Sequence, residues 1–182
     1  SEFLDDLLPK IDKNGKSYTI MLRLSYLFYN KLYSDINISN YSNLKVTSWL
    51  NEFNKFKDDN MYRNQEAIEG LRIKYYNSIN ETKKFLNKLK KYLLDNNESI
   101  RELLCMNHFS NIPLSYYYYL FCFFNRVSED TLVTKSKKVE QIVQSFFKTI
   151  KEEKMFGSEV IEKLKFYVKQ MEVLDTNNMD LY

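Results

Sequence analysis

Residues Ile112 to Val127 read IPLSYYYYLFCFFNRV, and between Leu114 and Phe124 only Ser115 interrupts a run of aromatic, aliphatic and thiol side chains. A helix built from such residues has no polar face for water, so it must lie inside the fold with neighbours on most sides. It is too short to span a membrane, which takes roughly 20 apolar residues. The four consecutive tyrosines, Tyr116 to Tyr119, need hydrogen-bond partners for their hydroxyls once buried. The stretch therefore predicts the central helix of an all-α domain.

The rest of the composition agrees. The chain has 182 residues, 44% hydrophobic and 16% aromatic, enough for a real core in one domain. Three glycines and two prolines are too few for a fold of many tight β-turns or for a Gly-rich phosphate loop. Long helices joined by short polar loops are expected instead. Heavy use of Asn, Lys, Tyr and Ile points to an AT-rich genome. The formal charge of +3 is mild for a nucleic-acid domain, so nucleic acid is not the expected partner. Cys105 and Cys122 both lie among apolar residues and read as buried free thiols of a reducing compartment, with a single disulfide as the alternative that spacing does not decide.

Apolar periodicity places the remaining helices. Ile20, Leu24, Leu27 and Phe28 share a face, widened by Met21 and Leu32, in a helix that Ser17 can cap and that runs to about Tyr33. Val46, Trp49, Leu50, Phe53 and Phe56 mark a helix from about Leu44 to Lys57, with the lone Trp as core anchor. Leu71, Tyr75, Ile79, Thr82, Leu86, Leu89 and Leu93 form the longest stripe, over 64–94. Thr82 is a soft spot on it, where a close neighbour or bound partner could sit, and Gly70 a candidate kink. A short helix is expected over Glu98 to Met106, and Ser128-Glu129-Asp130 should close the aromatic helix. Val139, Ile142, Val143, Phe146 and Ile150 point inward from a helix over 136–155, which Gly157 ends. Ser158 can then cap a last helix to about Leu174, with Val160, Ile161, Leu164, Val168 and Met171 on its face. The expected organisation is a cloning remnant at 1–3, one all-α domain of seven to eight helices over 4–175, and a tail at 176–182. No signal peptide or anchor is read, so the expected location is cytoplasmic.

Chemistry is hard to find. His108 follows Cys105 by one helical turn, but the helix is expected to end at Asn107, so nucleophilic catalysis is not expected. One His and two Cys cannot supply the four ligands of a structural zinc site. The pairs Asp5-Asp6, Asp58-Asp59, Glu129-Asp130 and Glu152-Glu153 lack a calcium-loop pattern. No cofactor is expected. The Asn-x-Ser/Thr sequons at Asn37, Asn40, Asn80 and Asn97 arise readily in so Asn-rich a chain. The notable surface feature is basic: Lys83, Lys84, Lys88, Lys90 and Lys91 on one helix, and Lys135, Lys137 and Lys138 at the start of another. Such clusters attract phosphate, at about 1 kcal/mol per Lys near an anionic membrane, or form a solvated face.

Ser17-Tyr18 followed by IMLRLSYLF, together with KVEQIVQSFFKTIKEEKMFGSEVIEKL from Lys138 to Leu164, resembles helices of the ENTH/ANTH/VHS superfamily of adaptor domains. The later segment is also similar to the end of domains that bind the RNA polymerase tail. The resemblance implies a right-handed α-superhelix used as a docking module. The family's lysine-rich phosphoinositide motif has no counterpart in Leu4 to Lys16, so headgroup binding is not carried over. The expected function is a non-enzymatic adaptor or scaffold that binds another protein, or itself, through a groove between helices. A membrane-peripheral adaptor using the lysine clusters on anionic lipid is the alternative.

Overall fold

The computed structural model describes residues 16–29, 46–60, 64–107 and 111–179. Among the described residues the chain is all-helical, with eight helices and no strand. They are α1 (Lys16–Tyr29), α2 (Val46–Asn60), α3 (Gln65–Asp95), α4 (Ile100–Leu103), α5 (Leu114–Phe124), α6 (Glu129–Thr134), α7 (Ser136–Glu152) and α8 (Ser158–Met179). They fall into two compact units, with α3 contributing to both: residues through Lys84 belong to the first unit, and those from Phe85 onward to the second. Residues 1–3 and His108 lie outside the described residues, as does the side chain of Trp49.

In the first unit α1 buries Ile20, Leu24 and Leu27. The soft spot at Thr82 has its close neighbour. Ser25 of α1 and Thr82 of α3 are fully enclosed, their hydroxyls 3.1 Å apart, and Thr82 Oγ1 donates to Ser78 O at 3.0 Å. Small side chains let the two helices approach, and each buried hydroxyl finds a partner. The α3 stripe deepens along its length: Leu71, Tyr75 and Ile79 are half-buried, and Thr82, Leu86, Leu89 and Leu93 are buried. Phe56, expected to face inward from α2, stays 38% exposed, because the last turns of α2 have no cover among the described residues of this unit.

The second unit holds the aromatic helix. Tyr117 to Phe124 of α5 are buried without interruption, over more than two turns. Helix α8 packs against α5, α6 and α7, and α7 also receives α4 and α6. Edge-to-face rings tie α5 to its neighbours: Phe121 to Phe85 of α3 at 5.4 Å, Phe124 to Tyr92 at 5.3 Å, and Tyr119 and Phe123 to Phe146 of α7 at 5.3 and 5.4 Å. Each such pair contributes about 0.5–1.5 kcal/mol beyond burial. Val143 and Leu164 of the predicted faces are fully enclosed, as is Phe147 beside them.

Helix ends differ from the sequence reading in instructive ways. The helix expected over 98–106 shrinks to Ile100–Leu103, because a Ser99–Glu102 capping box starts it and a left-handed Cys105 ends it. Ser128 does not close α5 but caps a further short helix, α6, through Thr131 N–H. Pro113 stands at the N-cap of α5. Helix α7 stops at Glu152, and α8 runs on past Leu174 to Met179.

Three C-terminal ends share one geometry. Asn97, Cys105 and Lys154 have φ of 49°, 54° and 47°. In each case that residue's N–H bonds three residues back, and the next N–H bonds five back: Glu98 to Leu93 O, Met106 to Arg101 O, and Met155 to Ile150 O. This is the Schellman arrangement, which favours glycine because a Cβ clashes at positive φ. Lys154 is exposed, so Lys154→Gly should raise unfolding free energy by about 1 kcal/mol in urea denaturation. Lys154→Val, which cannot relax there, should lower it.

Candidate functional site

An open groove of about 480 Å³ lies in the first unit. Its walls are Phe28 and Tyr29 at the end of α1 and Gly70, Ile73, Lys74, Asn77, Ser78 and Glu81 along α3. On α3 these positions recur three and four apart, so helical geometry places them on one face. Gly70 supplies no side chain, and a Cβ there would meet nothing within 4 Å. The sequence marks Gly70 as a candidate kink; in the fold α3 is one helix through it, and its missing side chain leaves space at one end of the groove. In the groove wall Ile73 remains 52% exposed. Lys74 Nζ sits 4.2 Å from the centroid of the Tyr29 ring, a cation–π contact, and burial pushes the Tyr29 hydroxyl above its ordinary pKa. Apolar walls with one cation and one carboxylate, Lys74 and Glu81, suit an apolar side chain framed by polar neighbours.

The lysine clusters do not form one free surface. Lys88 is half-buried and donates to Phe124 O at 2.6 Å and to Val127 O. Desolvation lowers its pKa, against the charges of Glu129 and Asp175. Lys135 donates to Leu174 O at 3.1 Å. Both ammoniums serve the packing of the second unit. Lys84 pairs with Glu81 at 2.8 Å, Lys91 with Asp95 at 2.6 Å and Lys137 with Glu140 at 3.8 Å. The bond to Asp95 raises the pKa of the exposed Lys91. Lys90 is half-buried, while Lys83 and Lys138 are exposed. The cleft beside Lys88 and Lys91 has only about 10 Å³, room for about one water.

Asp175, which no motif singles out, is a further organising side chain. Its Oδ1 accepts from Ser128 N and Oγ at 2.8 Å each and from Thr131 Oγ1 at 2.7 Å. Burial pushes this carboxyl up, but those hydrogen bonds and the Lys88 charge outweigh it, so it sits below 3.8. A signal was present in the sequence only as Ser128-x-x-Thr131, a cap that lacks its distant carboxylate.

Cys105 and Cys122 are free thiols, and burial pushes both up, Cys122 to about 12. Neither is a thiolate at neutral pH. Among the described residues no set of His, Cys, Asp and Glu could hold a metal ion, and no helix is long and apolar enough to cross a membrane. No protein-family model, curated protein or solved structure matches the chain.

A depressed carboxylate contributes stability that is complete above its unfolded pKa and drains away as pH falls through the folded value. Asp175→Ala should therefore cost about 1–2 kcal/mol at neutral pH, the usual loss for a helix cap. The gap between variant and wild type should narrow once the pH falls below the ordinary 3.8, as read from urea unfolding across an acid series.

Proposed function

We propose that the chain is a non-enzymatic protein–protein interaction module whose groove between α1 and α3 receives apolar side chains from a helix of a partner protein. The observation that carries this reading is the groove itself, about 480 Å³ with the exposed Ile73 in its wall. That volume suits a few side chains spaced along one face of a helix, as in helix-in-groove recognition. The ANTH-like segments support a docking role of the same kind, as adaptor or scaffold. Two free thiols favour a reducing compartment such as the cytoplasm. The anionic-lipid reading draws on fewer lysines than the sequence suggests, because Lys88 and Lys135 are engaged within the fold.

Gly70→Leu tests the reading without weakening the protein. A Leu is accommodated in open space and improves helix propensity by about 1 kcal/mol, yet it fills one end of the groove. In a quantitative pull-down, wild type should hold a stoichiometric partner, with retention falling at least about tenfold in Gly70→Leu and unchanged in Lys83→Glu. Sedimentation velocity on the purified chain identifies self-association as the binding mode. Equal retention by wild type and Gly70→Leu, or no stoichiometric partner and no self-association, overturns the groove. Co-sedimentation with phosphatidylserine vesicles that is lost on changing Lys83, Lys84, Lys90 and Lys91 to Glu would put the lipid reading in its place.

A further inference from the structure

Where α3 ends, Asn97 turns the chain back and Glu98 lies against α7. Glu98 Oε1 accepts from Gln144 Nε2 at 3.3 Å. Its other oxygen, Oε2, is shut off from solvent and has no donor among the described residues if both carboxyls are ionised. Glu140 stands on α7 four residues before Gln144, so helical geometry puts its carboxyl, itself an acceptor, on the face that Glu98 meets. Two acceptors facing each other across a partly dry gap cost energy unless a proton lies between them. Lys137 does not remove the conflict: it is exposed, and it stands 3.8 Å from the Glu140 carboxylate.

We propose that Glu98 and Glu140 share one proton and thereby latch the 98–106 turn, with α4, onto α7, and that loss of this proton loosens the latch. The proton gives Oε2 its missing hydrogen bond and relieves the repulsion between the two carboxyls. The other groups around the pair come from each neighbouring element. Tyr92 of α3 donates to Ser136 O at 3.1 Å, and burial followed by the two carboxylates holds its hydroxyl protonated. Glu102 of α4 accepts from Ser99 N–H in the capping box and adds negative charge. From α7 come Lys137, and, toward the Cys105 end, Lys148 and Lys151. Gln144 also donates to Glu102 O at 3.3 Å, and Lys151 to Cys105 O. These tethers hold the turn weakly when the carboxyls repel.

Burial first, then Glu140, then Glu102 push Glu98 up to about 7, against Lys137. The sign is opposite to that of Asp175. A raised carboxyl contributes stability that is complete below its ordinary 4.5 and lost as pH rises through about 7. The latch is thus closed in mild acid and loose in mild alkali, and it covers Ile100, Leu103 and Leu104, all buried.

Amide hydrogen exchange of the intact chain tests this, with rates corrected for intrinsic pH dependence. In wild type, protection of 99–106 relative to 143–150 should fall about tenfold between about pH 5.5 and 8.5. Glu140→Gln, whose amide donates to Glu98 without a shared proton, should abolish that fall and keep the segment protected. A wild-type profile flat in pH, or an unchanged fall in Glu140→Gln, overturns the proposal. Carboxyl carbon NMR of wild type gives a reading free of any variant: one Glu titrating near neutrality supports the pair, and every Glu titrating in the ordinary carboxylate range refutes it.

Discussion

Helix α5 carries no charged side chain in its first or last turn; at its C-terminus the N–H groups of Asn125 and Arg126 meet Phe121 O and Phe123 O, and side-chain cations meet further carbonyls. The cations come from elsewhere. Lys88 reaches Phe124 O and Val127 O from α3, and Arg126 Nη1 folds back to Cys122 O at 2.8 Å while its Nε meets Glu172 of α8 at 3.2 Å. Positive charge at a helix C-terminus is favoured by the macrodipole and by direct hydrogen bonding. The cost is a half-buried ammonium, offset by the charges of Glu129 and Asp175 nearby. Asp175 in turn caps α6, which fixes the corner after α5. An aromatic helix without charged groups of its own is thus met by charge from α3, α6 and α8.

A second constraint is the scarcity of glycine. Helices still have to end, and the orphan carbonyls at Leu93, Arg101 and Ile150 are met through Asn97, Cys105 and Lys154 at positive φ. Asn tolerates that region better than the other two, because its short polar side chain can bond locally. Gly157, one of the few glycines, is held at φ 55° immediately before α8, not at the end of α7.

Much of the architecture was legible from side-chain periodicity. The α3 stripe, the inward faces of α7 and α8 and the burial of Tyr117 to Phe124 all follow from spacing alone, because a long amphipathic segment has one way to hide its apolar face. Helix boundaries were less legible. The brevity of α4 depends on Cys105 taking a conformation that no local rule assigns to it, and α6 depends on Asp175, 44 residues from Thr131. The lysines show the same limit. A run such as KKFLNKLKK gives charge but not direction, and whether Lys88 faces water depends on where the end of α5 docks. The groove was expected only in kind. Its position comes from Ser25 meeting Thr82 and from the missing side chain at Gly70, which read in isolation as a soft spot and a kink.

The order of elements along the chain also shapes how this protein must be made. Segment 114–124 is uncharged, free of proline and dense in residues of high β-propensity, the composition of an aggregation-prone strand. Its cover from α3 precedes it, but the cover supplied by Phe146, Phe147 and helix α8 follows it. A nascent chain leaving the ribosome therefore carries a bare aromatic segment until α7 and α8 have been synthesised. Any truncation before Ser136 would leave that segment permanently uncovered. Transiently exposed apolar surface of this kind is where a folding chain is most prone to aggregate.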